Sequence, residues 1–231
     1  MNKDVIVLLP GFPTRELERQ LSRLGFHRFV RTTNGAEVEL TAGLSVAIHI
    51  ESSISDGPGG DSALIVSDGT TRLLNQNDCR IGDLASLISH GPIDLHYLQF
   101  SGAIWYPMVY DMPIENKRAL ATSKVESQFA RAEKYVESVG ARVVLPSAGP
   151  PCFLDEDLFH LNMIEPSDVS IFPDQAAFID RLRKRGVRNP TLNVPGTCVG
   201  VSPHEFTVTH PGSFESVMEP FTNKKSYLRQ Y

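Results

Sequence analysis

Residues Asn116 to Gly140 carry the most restrictive pattern in the chain. Val125, Phe129, Ala132, Val136 and Val139 recur at steps of four and three, with charged side chains on the opposite face. That spacing predicts a long amphipathic helix with one buried stripe. Short apolar runs flank it, Ile93–Leu98 before and Arg142–Leu145 after, the second stopped by Pro146. Both read as buried strands. A second amphipathic helix is expected over Asp174–Arg185, with Phe178, Ile179 and Leu182 facing inward, and a shorter one over Ile81–Ser89.

The first third reads differently. Asp4–Leu9 is a β-branched run ended by Pro10-Gly11, and Thr14 can cap a helix bearing Leu17, Leu21 and Leu24 on one face. Strand-like runs follow at Arg28–Arg31, Glu37–Leu40, Leu44–Ile50, Ser62–Ser67 and Thr71–Leu74, with Asn34-Gly35 and Asp68-Gly69 as hairpin turns. An antiparallel region followed by strand–helix alternation indicates a layered α/β (α+β) domain. The tail beyond Gly200 is less patterned, with one strand expected over Glu205–His210 and a helix start from Lys224.

Composition narrows the function classes. A net charge of −5 argues against a nucleic-acid partner, because such domains carry a basic excess. The basic run Arg181–Arg188 falls at a helix end, where the dipole favours cations. No run approaches the roughly 18 apolar residues of a membrane span, and Met1-Asn2-Lys3-Asp4 opens no secretion signal. Three scattered cysteines, Cys79, Cys152 and Cys198, make neither a disulfide framework nor a zinc ribbon, which points to a reducing cytoplasm. They read as small buried residues.

Three strand-end loops could hold chemistry. In Leu74–Arg80, Asp78 is either a carboxylate ligand for a metal ion or a cap for the next helix. In Gln99–Pro107, Gln99, Ser101, Trp105 and Tyr106 suit a substrate pocket wall, or the aromatics pin the loop to the core. Ser101 lacks the surroundings of a nucleophile elbow. In Pro146–Asp155, Asp155 is a ligand or base, or with Glu156 and Asp157 forms the negative first turn of a helix. The seven histidines include no H-x-H or H-x-x-x-H pair.

Several motifs in order carry a resemblance: Asp61-Ser62-Ala63-Leu64-Ile65-Val66, Leu74-Asn75-Gln76-Asn77-Asp78-Cys79, Gln99-Phe100-Ser101-Gly102-Ala103 with Tyr106-Pro107-Met108, Pro146-Ser147-Ala148-Gly149, and Pro195-Gly196-Thr197. Together they resemble the CMP-N-acetylneuraminate hydroxylase-like, Rieske-associated branch of the metallo-β-lactamase superfamily. The resemblance implies an αββα sandwich, with residues 1–200 supplying part of its first half plus the second half and residues 201–231 a C-terminal extension. It implies one or two iron or zinc ions, with Asp78 as the carboxylate ligand. Asp56 stands near the place of a later histidine ligand, and Asp155 near that of the final one. It also implies a small-molecule substrate and a 2Fe-2S cluster on a domain outside this chain, feeding electrons to the metal. The superfamily's H-x-H-x-D-H motif is missing, so the expectation is an N-terminally incomplete chain that is not competent unaided. A metal-dependent hydrolase of the same fold and a metal-free scaffold are the alternative readings.

Overall fold

The structure is a computed structural model that describes residues 1–51, 60–102, 104–147 and 152–231. The chain divides into two units, Met1–Tyr97 with Ser138–Ala141, and Leu98–Glu137 with Arg142–Tyr231.

The first unit opens with β1 (Val7–Leu9), α1 (Glu16–Arg23) and β2 (Phe29–Arg31). β1 and β2 pair in parallel, Leu8 opposite Val30, as a strand–helix–strand crossover allows. This corrects the expectation of a hairpin at Asn34-Gly35. That turn serves a different ladder: Gly35 N–H donates to the Ile48 carbonyl at 2.8 Å and Asn34 Oδ1 accepts from Ile50 N–H at 2.8 Å. The leucine face of α1 also departs from expectation, since no residue of that helix is buried and Leu17 and Leu24 are exposed.

From there the sequence pattern is followed closely. β3 (Glu37–Thr41), β4 (Leu44–Ile50), β5 (Ser62–Ser67) and β6 (Arg72–Asn77) form an antiparallel meander. The Asp68-Gly69 turn joins β5 to β6, the Asp68 carboxylate accepting from the Thr70 and Thr71 N–H groups. Those bonds hold its pKa well below the usual carboxylate range. Period-two alternation turns Ala63, Ile65 and Leu74 onto one face, where they meet Ala47, Cys79, Ile81, Leu87 and Ile93. α2 (Leu84–Ile88) is shorter than expected because its cap is Asp83, which accepts from Ser86 N–H.

β7 (Leu95–Gln99) straddles the division. In the second unit, α3 (Ile114–Val139) buries Phe129, Ala132 and Val136, the predicted stripe. β8 (Val143–Ser147) contains Pro146 rather than ending before it. It is the terminal strand in its sheet's order, and a proline missing its N–H is tolerated at such an edge. α4 (Gln175–Lys184) buries Phe178, Ile179 and Leu182 as expected. Phe178 stacks on Phe100 at 5.4 Å and tilts against Phe129 at 5.0 Å, which centres this unit's core. In the tail, β10 (Phe206–Thr209) and α6 (Lys224–Leu228) match the expected strand and helix start, and the structure adds β9 (Cys198–Val201), which pairs with β10, and α5 (Phe214–Thr222). Among the described residues no helix is long and apolar enough to cross a membrane.

Candidate functional site

The turn at the end of β6 carries Asp78. Asn77 adopts a positive φ of 40°, which reverses the chain. Gln76 then clamps the turn from both sides: its carbonyl accepts from Cys79 N–H at 2.9 Å, and its side-chain Nε2 donates to the Cys79 carbonyl at 3.1 Å. The free end of the same amide, Oε1, lies 2.9 Å from His96 Nε2. Burial pushes the His96 pKa down to about 3, so the ring is neutral and Nε2 carries the donated proton. His96 Nδ1 is left buried without a hydrogen-bond partner. Asp78 is exposed at the tip. The cap of α2 is Asp83, so capping that helix is not the role of Asp78.

Cys79 beside it is a packing residue. Burial, with Glu51 and Asp61 nearby, pushes its thiol up to about 12, far from a nucleophile at neutral pH. All three cysteines are free thiols. Cys152 and Cys198 are exposed, against the expectation that all three are buried.

The same unit holds a histidine pair that sequence reading passed over. His49 on β4 and His90 after α2 meet Nε2 to Nε2 at 2.9 Å, and His90 Nδ1 lies 3.3 Å from Glu37 Oε1. Burial, and then the neighbouring His90, lower the His49 pKa. Forty-one residues separate the two rings, so no local spacing announces them. The detectable trace is Gly35, whose Cβ would sit 2.9 Å from the His49 ring.

In the second unit, the loop after β7 is pinned from within. Gln99 is half-buried and Ser101 fully buried. Gly102 lies against the Gln128 amide, where a Cβ would stand 2.7 Å from Nε2. Trp105 makes edge contacts with Phe153 and Phe172, and Tyr106 with Tyr110. Lys124 donates to the carbonyls of Ile104 and Tyr106. The aromatics therefore anchor the loop, while Trp105 and Tyr106 keep 37% and 42% of their surface exposed. Asp155 caps a short 3-10 helix over Glu156–Asn162 by accepting from Asp157 N–H at 3.0 Å. That is the first-turn role open to it in the sequence. Asp56 lies outside the described residues.

Two solved structures share this architecture. A CmlA β-hydroxylase variant matches with a TM-score of 0.52 at 14% identity, over 88% of this chain and 39% of that one. An isothiocyanate hydrolase from Delia radicum gut bacteria matches with a TM-score of 0.52 at 10% identity, over 87% and 69%. The fold is a metallo-β-lactamase fold. A hydroxylase and a hydrolase thus share it with this chain at identities that speak to fold alone.

Sequence relatives are nearer. A Mycobacterium tuberculosis protein named as a Rieske 2Fe-2S iron-sulfur protein is 46% identical over 242 residues, covering all of this chain and 46% of that protein. One from Mycolicibacterium smegmatis, similarly named, is 43% identical over 237 residues, covering all of this chain and 45% of its own length. The metallo-β-lactamase-fold chain therefore spans about half the length of the curated relatives it matches. No family model matches the sequence.

The fold implies metal ions, and the name of the relatives a cluster. Among the described residues, no three His, Cys, Asp or Glu side chains come together as a metal site. A Rieske centre needs two cysteines and two histidines around one cluster, and no such grouping exists among them either. The described residues alone do not fit either group.

Proposed function

We propose that this chain is the metallo-β-lactamase-fold part of a metal-dependent oxidoreductase of the hydroxylase-like kind, working with a Rieske iron–sulfur centre held elsewhere in the protein. The observation that carries this reading is the match of the whole chain, at 46% identity, to proteins named for that cluster. The chain's own histidines and cysteines do not assemble one among the described residues. The cluster of the relatives would then belong to the half of their length that this chain does not span.

Within this reading Asp78 is one ligand of an ion whose other donors come from outside the described residues, Asp56 among the candidates. Asp155 is the weaker candidate, because its carboxylate already caps a helix turn. Trp105 and Tyr106 offer exposed faces to a small-molecule substrate, with Gln99 and Ser101 shaping the backbone behind them. Residues 1–200 form the fold's working portion and 201–231 an extension, in the cytoplasm.

A hydrolase is the second reading, supported by the equal likeness to the isothiocyanate hydrolase. Metal analysis of the intact natural protein, purified without added metal, separates the readings. Iron in excess of the cluster, with the electron-paramagnetic signal of a reduced Rieske centre, is the expected result. Zinc without a cluster would favour the hydrolase, and a metal-free protein would leave a scaffold.

A further inference from the structure

The second unit contains a cavity that no feature above uses. α4, α5, α6 and the segment 193–195 line a space of about 690 Å³, within the roughly 300–1,000 Å³ of small-molecule sites. Its walls are mainly apolar: Val194, Pro195, Pro211, Val217, Phe221 and Leu228. Gln175 stiffens one side, its amide donating to the Asn193 carbonyl at 3.0 Å and accepting from Asn193 N–H at 3.1 Å.

Into this apolar setting the fold places one ion pair. Lys224 Nζ lies 2.8 Å from Asp174 Oδ2, with the two side chains only 15% and 20% exposed. Asp174 stands at the N-cap of α4 with an extended backbone, the geometry in which aspartate ordinarily accepts from its own helix. It makes no such bond. Its carboxylate is turned to Lys224 instead, at the expense of the cap. The contact uses one carboxylate oxygen and one ammonium proton, so Oδ1 and two N–H groups lie outside it.

We propose that this cavity binds a small zwitterion with an apolar body, an α-amino acid with a side chain the size of leucine or phenylalanine. Charge balance selects that class. A simple anion would draw Lys224 away and leave Asp174 unpaired in a poorly solvated place, and a simple cation would do the reverse; both cost desolvation free energy. A zwitterion adds its carboxylate to the unused Lys224 protons and its ammonium to the unused Asp174 oxygen. All four charges are then paired with no net charge added, and the apolar walls take the side chain.

Cys152 lines the cavity and is an exposed free thiol, which gives a second readout. The test titrates L-phenylalanine calorimetrically into the intact protein and follows maleimide labelling of Cys152 in a Cys198→Ser background. Saturable binding that slows Cys152 labelling is expected. N-acetyl-phenylalanine and phenylalanine amide, each lacking one charge, should bind about tenfold more weakly to the unaltered protein. Lys224→Met and Asp174→Asn should each weaken phenylalanine by a similar factor. No saturation at millimolar amino acid, equal affinity for the charge-deficient analogues, or unchanged Cys152 labelling would each overturn the proposal.

Discussion

His96 sits wholly buried beneath the Asp78 turn, with Nε2 donating to Gln76 and Nδ1 unpartnered. Its folded pKa of about 3 lies below the ordinary 6.5, so the sign of its pH effect follows. Above 6.5 the ring is neutral in both folded and unfolded chains and contributes no pH dependence. Between 6.5 and about 3 only the unfolded chain takes up the proton. Stability should therefore fall with falling pH, by up to about 1.4 kcal/mol per unit from this residue. Urea unfolding at a series of pH values should show a shallower acid slope in His96→Gln. An unchanged slope would mean the ring titrates normally. Gly35 is equally intolerant of change. Its φ of +70° opposes any side chain, and an added Cβ would stand only 2.9 Å from the His49 ring. Gly35→Ala should destabilise by about 1–3 kcal/mol in the same assay.

Between elements, the α3–α4 contact shows how a buried stripe and a charge clamp divide the work. Phe178 is fully buried against Phe100 and Phe129, so Phe178→Ala should cost about 3–5 kcal/mol. Arg181, on the next turn, bonds Glu133 at 2.6 Å and Glu126 at 2.6 Å. Glu133 keeps only 6% of its side-chain surface, so Arg181→Met strands a buried carboxylate, with Arg185 3.4 Å away as a weaker partner. About 2–3 kcal/mol is expected, and Glu133→Gln in the same background should recover part of it. The phenylalanine stripe was legible in the sequence because helical periodicity is local. The identity of β2's partner was not: Asn34-Gly35 has the chemistry of a hairpin turn, and only the long-range bonds to Ile48 and Ile50 decide otherwise. The tail was legible only in part: the strand expected over Glu205–His210 and the helix start from Lys224 are present as β10 and α6, whereas β9, four residues and half exposed, is too short for a pattern to rise above composition. Pro220 also interrupts the α5 signal from inside the helix.

At the scale of the whole molecule, the fold and the candidate site were legible to different depths. Strand–helix order pointed to a layered α/β domain and the resemblance carried by the loop motifs to the metallo-β-lactamase fold, and the architecture agrees. The sequence singled out Asp78, and the structure adds why its turn is rigid: Gln76 and His96 lock it from behind. The ligand set was not legible, because metal sites gather residues distant in sequence and the described residues gather no three. The chain spans about half the length of these relatives, and under the proposed function the remaining donors lie outside the described residues. The most direct test compares the intact protein with its Asp78→Ala variant, counting iron per chain and using the reduced-cluster signal as an internal standard. The cluster signal is expected to stay constant while the iron in excess of it is lost. Excess iron retained in full by the variant would contradict Asp78 as a ligand.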